Sequence, residues 1–373
     1  MTYEEESLKQ HREHKGKLEI SSKVSLENMA DLSTHYTPGV AEPCRVIAKD
    51  PEEAYNLTPK GNMVAVITDG SAVLGLGNIG GLAGFPVMEG KSLLFKKFAG
   101  IDAIPICLGT QDTEEIIRTV LNISPQFGGI NLEDISAPRC FEIEKRLDSE
   151  LSIPVFHDDQ HGTAIVVLAG LINAFKVLPR SNPKIVISGA GAAGVAITKL
   201  LYKYGFHHIV VCDSSGALRG GRERMNESKD DLVKLVGGHD GSLADVLVSA
   251  DVFIGISAPG IVSKDMVSTM AKDPIVFAMS NPDPEITYED AKAAGAKIIA
   301  TGRSDYPNQV NNALAFPGVF RGALDNRVSS ITDDMKIAAA EALANLITEP
   351  TADKIIPSIF DEGVMEAVAG AIK

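Results

Sequence analysis

Two pairs of adjacent acids follow apolar runs that are typical of buried strands. Glu133 and Asp134 end the run GGINLEDI, and Asp158 and Asp159 end the run IPVFHDD. Open α/β sheets bind ligands at the carboxyl ends of their strands, so we expect the four carboxylates to converge. Without cations they cannot all stay ionised, and either their pKa values rise or a hard divalent cation neutralises them. Taken singly, either pair also fits a solvated loop or a helix cap.

The ligand chemistry of such a site favours Mg²⁺ or Mn²⁺ over zinc or copper, because the donors are all oxygens. His157 and His161 flank the second acidic pair at positions i and i+4, a spacing that could bind a metal on a helix. We predict a structural hydrogen-bonding role for these two histidines instead.

The pattern G-x-G-x-x-G occurs at 75–80 and again at Gly189, Gly191 and Gly194, so the bare pattern decides nothing. The second copy follows the apolar run KIVIS and opens a helical pattern through Tyr204. In that context the glycines let backbone N–H groups approach a pyrophosphate at a helix N-terminus. The first copy has neither a clearly periodic helix after it nor an acid at the next strand end. We predict that it is a turn without a ligand.

Asp213 ends the run HIVVCD, 24 positions after Gly189, where a carboxylate can hold the ribose hydroxyls of a dinucleotide. A carboxylate there repels a 2′-phosphate, which favours NAD over NADP. Arg219 and Arg222 follow within nine residues and could reach such a phosphate if the loop folded over, so NADP stays possible.

Lys91 and Tyr36 have neighbours that would suit acid–base chemistry. Lys91 lies between a glycine-rich loop and a mainly apolar stretch. Partial burial would lower its pKa towards neutrality, as a lysine general base requires. Tyr36 lies in a Tyr-Thr-Pro-Gly loop, where a rigidly held phenol could act as an acid. Both residues also fit ordinary roles, because most lysines are solvated and most loop tyrosines merely pack.

The elements that must position these residues alternate between strand and helix. Strand patterns occur at MVAVIT, AIPICLG and the two runs that end in acids, and a helical pattern occurs at Thr113 to Ile123. The stretch from Ala164 to Leu178 is apolar nearly all round, as in a buried helix. From Lys184 to about Pro317, five short apolar strands separated by helices predict a doubly wound parallel sheet.

The tail is predicted to be helical and to pack back onto the body. Thr332 is the expected N-cap, and Met335, Ala339, Ala342 and Leu346 form one apolar stripe. The 373 residues predict two or three domains with real cores.

Composition limits the partners and the compartment. The net charge of −14 argues against nucleic acid and anionic membrane surfaces. No apolar run approaches the length of a membrane span, and the first residues lack the apolar core of a signal peptide. The four scattered cysteines are predicted to be reduced. We therefore expect a cytoplasmic protein.

The sequence resembles the malic enzymes, in particular the short bacterial type. The resemblance rests on eight blocks in family order across roughly 30 to 320: THYTPGVAEP at 34–43, TDGSAVLGLGNIG at 68–80, EGK at 89–91, LEDI at 132–135, FHDDQHGTA at 156–164, GAGAAG at 189–194, SNP at 280–282 and NNALAFPG at 311–318.

The resemblance implies a role for each matching residue. Tyr36 would be the general acid, Lys91 the general base and Asp158 the partner that orients Lys91. Three further acids would bind the divalent ion, namely Glu133, Asp134 and Asp159. Asn281 and Asn311 match asparagines that face the nicotinamide and the substrate. One departure is Ala72, which stands where eukaryotic members have an arginine that binds a substrate carboxylate.

The resemblance also implies a fold and an activity. The fold is α/β, with an N-terminal α/β substrate domain at 1–155, a central doubly wound Rossmann-type NAD(P)-binding domain at 156–325 and C-terminal helices at 326–373 that pack back. The activity is oxidative decarboxylation of L-malate to pyruvate and CO₂ with NAD or NADP, dependent on Mg²⁺ or Mn²⁺. The family forms dimers and larger assemblies, so a homo-oligomer is expected. Malolactic conversion with retained NADH and a non-catalytic dinucleotide sensor remain the alternatives.

Overall fold

The computed structural model describes residues 2–73 and 75–373 and places them around two sheets. The first sheet is wholly parallel, in the spatial order β2-β1-β3-β4. Its strands are β1 (Met63–Thr68), β2 (Asp102–Cys107), β3 (Gly129–Leu132) and β4 (Val155–His157). The four predicted strands of this region are therefore present, and their carboxyl ends share one edge.

Seven α-helices lie among the described residues of the first part of the chain. They are α1 (Tyr3–His14), α2 (Met29–His35), α3 (Ala41–Lys49), α4 (Ala54–Leu57), α5 (Gly81–Ala99), α6 (Thr113–Ile123) and α7 (Arg139–Glu150). Helix α6 begins where the side chain of Asp112 accepts the N–H of Glu115, and it buries the apolar stripe that predicted it. Helices α1, α2 and α3 contain no buried residue.

The second sheet follows the order β10-β9-β8-β5-β6-β7, with every pair parallel except β6 and β7. Its strands are β5 (Ile185–Ser188), β6 (Ile209–Asp213), β7 (Gly216–Ala217), β8 (Val252–Gly255), β9 (Ile275–Ala278) and β10 (Ile298–Thr301). The helices between them are α9 (Ala192–Tyr204), α10 (Glu227–Val236), α11 (Leu243–Leu247), α12 (Lys264–Ser268) and α13 (Tyr288–Ala293). The predicted doubly wound α/β class is confirmed.

Helix α8 (Asp158–Val177) joins the two sheets and packs against α9. It starts six residues earlier than its apolar pattern predicts, directly at the two acids that end β4. By length and composition it could cross a membrane, but 67% of its most apolar window is buried inside the protein. Such burial is typical of the core helix of a globular fold.

The C-terminal helices α14 (Phe316–Asn326), α15 (Asp333–Asn345) and α16 (Val364–Gly370) return to the first part of the chain. In α14, Phe316 and Phe320 pack edge-on against Phe95 of α5, with ring centroids 4.7 and 5.4 Å from it. The predicted tail itself packs back as well, because the ring centroid of Phe360 lies 5.6 Å from that of Phe98 of α5 and α15 packs against α8.

Helix α15 begins at the predicted cap, where the Thr332 hydroxyl accepts the N–H of Met335 at 3.3 Å. Its buried face differs from the predicted stripe. Ala339 is buried, whereas Leu346 follows the last helical residue and is 37% exposed.

The predicted division of the chain meets these elements at two places. The boundary between 155 and 156 falls inside β4, and the boundary between 325 and 326 falls at the last turn of α14. The division into three parts stays a prediction.

Candidate active site

Three carboxylates meet at the carboxyl edge of the first sheet. Glu133 and Asp134 follow β3, and Asp159 lies in the first turn of α8. One oxygen of each lies within 4.8 Å of the others. Asp159 also accepts the backbone N–H of Asp134 at 2.9 Å, which fixes the two segments against each other. An all-oxygen set at this separation fits a hard divalent cation, as the sequence predicts.

Lys91 lies beside this group on α5 and is more than nine-tenths buried. Its ammonium lies 2.6 Å from Oδ2 of Asp158 and 2.9 Å from Oε1 of Glu133, and it stands 4.2 Å from the ring centre of Phe316. Burial alone lowers the pKa of Lys91, but the two carboxylates outweigh it and raise that pKa above its ordinary value. The expectation of a lowered pKa is therefore wrong for the protein without a bound cation.

The acids around Lys91 hold their protons more tightly than free carboxyls do. Burial, opposed by the Lys91 charge, raises the pKa of Asp158 to about 6 and that of Asp159 to about 6. Burial also raises the pKa of Glu133. This is the outcome that the sequence predicts when acids converge without a cation.

Glycine at position 162 has a local reason. A β-carbon there would overlap Oδ1 of Asp158, one turn earlier on α8. The helix can therefore carry Asp158 on its inner face only because the next turn has no side chain at that point.

Several supporting residues were not predicted. Asn131 donates its side-chain amide to Glu133 at 2.9 Å. Arg139 forms an ion pair with the fully buried Asp69 at 2.9 Å and contacts Ser71 at 3.0 Å, at the end of β1. The sequence did contain a signal for Asn131, which is a polar residue inside an apolar strand pattern. Asn131 stands two residues before Glu133, so the two side chains share one face of the strand.

The two histidines of the second acidic block are not among the clustered metal-binding groups. Glu144 of α7 accepts the N–H of His157 at 2.8 Å and pairs with the ring of His161 at 2.9 Å. Burial raises the pKa of Glu144, but the imidazole of His161 outweighs it and lowers that pKa to about 2. The ring of His161 thus takes the predicted structural hydrogen-bonding role and ties α7 to α8, whereas His157 contributes its backbone N–H and not its imidazole.

The second glycine motif forms the turn between β5 and α9. Gly189 has a φ of +127°, and a β-carbon at Gly194 would overlap its carbonyl oxygen. Gly191 caps α9 without a side chain, so the N–H groups of the first turn stay available to an anion. The turn lines a groove of about 1180 Å³ that also contains Asp213 and Ser257.

Asp213 stands at the end of β6 but is not a free carboxylate. Arg222 forms a close ion pair with Oδ2, Lys229 lies 2.7 Å from the same oxygen, and Oδ1 accepts the N–H of Ser215 at 2.8 Å. Partial burial raises the pKa of Asp213, but hydrogen bonds from Lys229 and Arg222 outweigh it and lower that pKa. Two cations against one anion leave a positive charge where the sequence predicted a negative one.

Two asparagines lie near these groups. Asn281 follows β9, at the same edge of the second sheet as the glycine turn. Asn311 accepts the N–H of Ala313 and caps a short turn at Asn312–Leu314, which packs against α8. No contact shows what either asparagine binds, so their ligand roles stay predictions.

The first glycine motif is followed by a regular helix, α5, although the sequence there shows no clear helical period. That the motif is a turn without a ligand stays a prediction. Gly75 has a φ of +74°, and a β-carbon there would lie 2.8 Å from the side chain of Pro282, in the loop that follows β9. This turn therefore lies against the segment that carries Asn281.

Tyr36 is 66% exposed at the C-terminal end of α2. Within residues 2–73 and 75–373 its hydroxyl has no hydrogen-bond partner, whereas Lys91 is held on both sides. In the described part of the chain, no hydrogen bond joins the predicted acid to the predicted base.

Comparison with known proteins gives consistent matches over almost the whole chain. Residues 15–148 match the family model "Malic enzyme, N-terminal domain", and residues 160–369 match "Malic enzyme, NAD binding domain". The chain is 58% identical to a bifunctional malic/malolactic enzyme of Bacillus subtilis, covering 100% of this chain and 92% of that protein. It is 56% identical to an NAD-dependent malic enzyme of Geobacillus stearothermophilus, covering 96% and 76%. A crystal structure of an NAD-dependent malic enzyme from Thermotoga maritima superposes with a TM-score of 0.95 at 47% identity, covering 98% of both chains.

Proposed function

The chain belongs to the malic enzyme family, and we propose that it carries out the family's reaction on the residues gathered at the carboxyl edge of the first sheet. It oxidises L-malate and decarboxylates it to pyruvate and CO₂, with reduction of NAD or NADP. The observation that supports this assignment is Lys91, held 2.6 and 2.9 Å from two acids beside a three-carboxylate group.

The chain's own groups divide the proton transfers between them. Lys91, once neutral, accepts the proton of the malate C2 hydroxyl at Nζ, and Asp158 orients that nitrogen through its 2.6 Å contact. Tyr36 returns a proton to C3 after the carboxylate has left. Burial of Lys91 limits the access of water to its ammonium group.

The two cofactors would be held by separate groups. Glu133, Asp134 and Asp159 would hold Mg²⁺ or Mn²⁺, which supplies Lewis-acid polarisation of the substrate oxygens when bound. The turn of Gly189, Gly191 and Gly194 would hold the pyrophosphate of the dinucleotide, whose nicotinamide accepts the hydride.

A cation at the three carboxylates would also prepare Lys91 for its role. Glu133 is both a predicted ligand and a partner of Lys91. Added positive charge beside the ammonium, together with competition for Glu133, lowers the pKa of Lys91 from its raised value. The base would therefore form only in the loaded site.

We infer that NADP is accepted as well as NAD. Arg222 and Lys229 neutralise Asp213 and leave a positive charge at the position where a 2′-phosphate would lie. The predicted preference for NAD relied on a free carboxylate, which the ion pairs remove.

We also infer a homodimer or a larger homo-oligomer in which Tyr36 of one chain serves the site of another. The support is the exposure of Tyr36 together with the absence of any buried residue in α1, α2 and α3. A cytoplasmic location is consistent with four cysteines that form no disulfide among the described residues.

The test is malate-dependent formation of reduced dinucleotide, followed at 340 nm with Mn²⁺ and with a chelator. We expect turnover only with the cation, and its loss in Lys91→Ala. Lys97→Ala is the matched control, because Lys97 is exposed on the same helix. Turnover in the presence of a chelator would contradict the assignment of the acidic group.

A second candidate is malolactic conversion, which the similarity to the bifunctional Bacillus subtilis enzyme favours. In that case the reduced dinucleotide stays bound and reduces pyruvate to lactate. Lactate appearing from malate without release of reduced dinucleotide would indicate it. Turnover of either kind excludes a non-catalytic dinucleotide sensor.

A further inference from the structure

Glu285 is a buried carboxylate outside the proposed reaction centre. It follows Asn281 by four residues, and none of its surface is exposed. One oxygen accepts the N–H of Ser257 at 2.8 Å, and the other accepts the N–H of Ser280 at 3.1 Å. Its partners in the described part of the chain are backbone N–H groups rather than a cation, and burial raises its pKa. A carboxylate buried in this way is costly unless both oxygens are satisfied.

The two partners belong to neighbouring strands. Ser257 stands two residues after β8, and Ser280 stands two residues after β9, where Gly255 pairs opposite Ala278. The backbone carbonyl of Glu285 also accepts the N–H of Val262 at 3.0 Å. One residue thus joins the loops that leave two adjacent strands at the carboxyl edge.

Two further contacts extend this connection. A β-carbon at Gly255 would overlap the carboxyl carbon of Glu285, so β8 must end in glycine for the carboxylate to fit. The hydroxyl of Ser257 lies 3.0 Å from that of Ser188, which immediately precedes Gly189. The loops after β5, β8 and β9 are therefore tied together, and residues after β5 and β8 line the dinucleotide groove.

We propose that Glu285 is a positioning residue for the nicotinamide half of the dinucleotide. Its two oxygens fix the backbone at Ser257 and at Ser280, and Ser280 directly precedes Asn281. The proposal rests on the proposed function in one respect, namely that a dinucleotide occupies this edge. Glu285 itself contacts neither cofactor nor substrate, and it acts by holding the two loops at one separation.

The test compares binding of two probes to the full-length protein by calorimetry, NAD and 5′-AMP. Glu285→Gln keeps the size of the side chain but offers one acceptor where two are needed, so one loop is released. We expect its Kd for NAD to rise about tenfold, with a smaller rise in the Kd for 5′-AMP, because 5′-AMP has no nicotinamide and touches only the Ser257 side of the groove. Glu289→Gln is the matched control, since Glu289 is exposed in α13 and its carboxylate accepts from the hydroxyl of Tyr306 at 3.1 Å.

A kinetic readout adds a second criterion. With malate deuterated at C2, a displaced nicotinamide makes hydride transfer slower relative to the other steps. We expect the isotope effect on kcat to increase in Glu285→Gln and to stay unchanged in Glu289→Gln.

The outcomes are distinct. Unchanged NAD binding in Glu285→Gln, or equal loss of NAD and 5′-AMP binding, would overturn the positioning role. If that variant does not fold, Glu285→Asp, which keeps the charge but is one methylene shorter, is measured against the same criteria. Binding needs no turnover, so a wild-type protein that binds NAD but does not oxidise malate refutes the proposed function alone.

Discussion

Protons and a divalent cation compete for the site of Asp158 and Asp159 near pH 6, because both carboxyls have pKa values of about 6. Burial raises both pKa values to about 6, from an ordinary value of 3.8. In the protein without a cation, these folded-state values exceed the unfolded ones. Each acid therefore contributes stability below about pH 4 that is lost as the pH rises through about 6. A bound cation removes this penalty by compensating the charges.

The affinity for Mn²⁺ should therefore fall on acidification. With one proton displaced from Asp159, we expect the Kd at pH 5 to be about tenfold higher than at pH 7. Calorimetry in the absence of dinucleotide measures it, and Glu142→Gln, an exposed acid on α7, should follow the wild type. Equal affinity at the two pH values would show that Asp159 is not a ligand.

The charge balance at Asp213 makes a second prediction at this scale. Replacing both Arg222 and Lys229 by serine frees the carboxylate and removes the cations that would face a 2′-phosphate. We expect kcat/KM for NADP to fall about 100-fold or more, with that for NAD nearly unchanged.

The matched control for this change is Lys234→Ser, on the same helix as Lys229 but paired with Asp231 at the surface. Binding of 2′,5′-ADP should weaken in parallel with NADP turnover. An unchanged ratio of NADP to NAD efficiency in the double variant would contradict the assigned phosphate position.

Among the elements, α7 and α8 are held together by one largely buried glutamate, whose side chain is 14% exposed. Glu144 accepts from the backbone of His157, the amide of Gln160 and the ring of His161. Its folded-state pKa of about 2 lies below the ordinary value of 4.5. Its contribution to stability is therefore present above about pH 4.5 and is lost as the pH falls towards 2.

Glu144→Gln should destabilise the fold by about 1–3 kcal/mol at pH 7, because one of the donors loses its acceptor. The variant should also lose less stability than the wild type between pH 4.5 and pH 2.5. Urea unfolding at both pH values measures this, and Glu142→Gln, exposed on the same helix, should change stability by less than about 0.5 kcal/mol. If the unfolding free energies of the wild type and of Glu144→Gln changed equally with pH, Glu144 would not hold α7 and α8 together.

Local sequence was sufficient for the parallel strands and for the acids that end them, because a short apolar run closed by turn residues is typical of a buried strand. The two-residue antiparallel strand β7 was not predicted, since it has no apolar run. It was insufficient for α5, which contains Gly81, Gly84 and Pro86, residues of low helix propensity. Burial against β2 stabilises that helix instead. The raised pKa of Lys91 could not be predicted from local sequence either, because the acids that raise it, Glu133 and Asp158, lie 42 and 67 positions away along the chain.

At the scale of the whole molecule, the unpaired Tyr36 predicts active sites shared between chains. Tyr36→Phe and Lys91→Ala should each lack malate turnover, whereas Tyr36→Phe should keep part of its oxaloacetate reduction. When the two variants are dissociated and reassembled together as dimers, one site in each mixed dimer carries both native residues. We expect about a quarter of wild-type turnover.

Gel filtration of the mixture is the accompanying control, since only reassembled dimers can restore turnover. The pair Lys91→Ala and Asp159→Asn, both within the acidic group of one chain, should give no recovery. If the mixture of Tyr36→Phe and Lys91→Ala recovered no more turnover than this second mixture, Tyr36 would serve the site of its own chain.

Helix α8 carries the Lys91 partner Asp158 and the clustered acid Asp159 in its first turn, while its remaining length forms the core beside α9. Genetic fission of the chain before α8 would leave Lys91, Glu133 and Asp134 on one polypeptide, and Asp158 and Asp159 on the other. Neither recombinant fragment would chelate manganese with full affinity. Chelation by the mixture would then report reassociation of the halves, which makes the junction a natural insertion point for a split reporter.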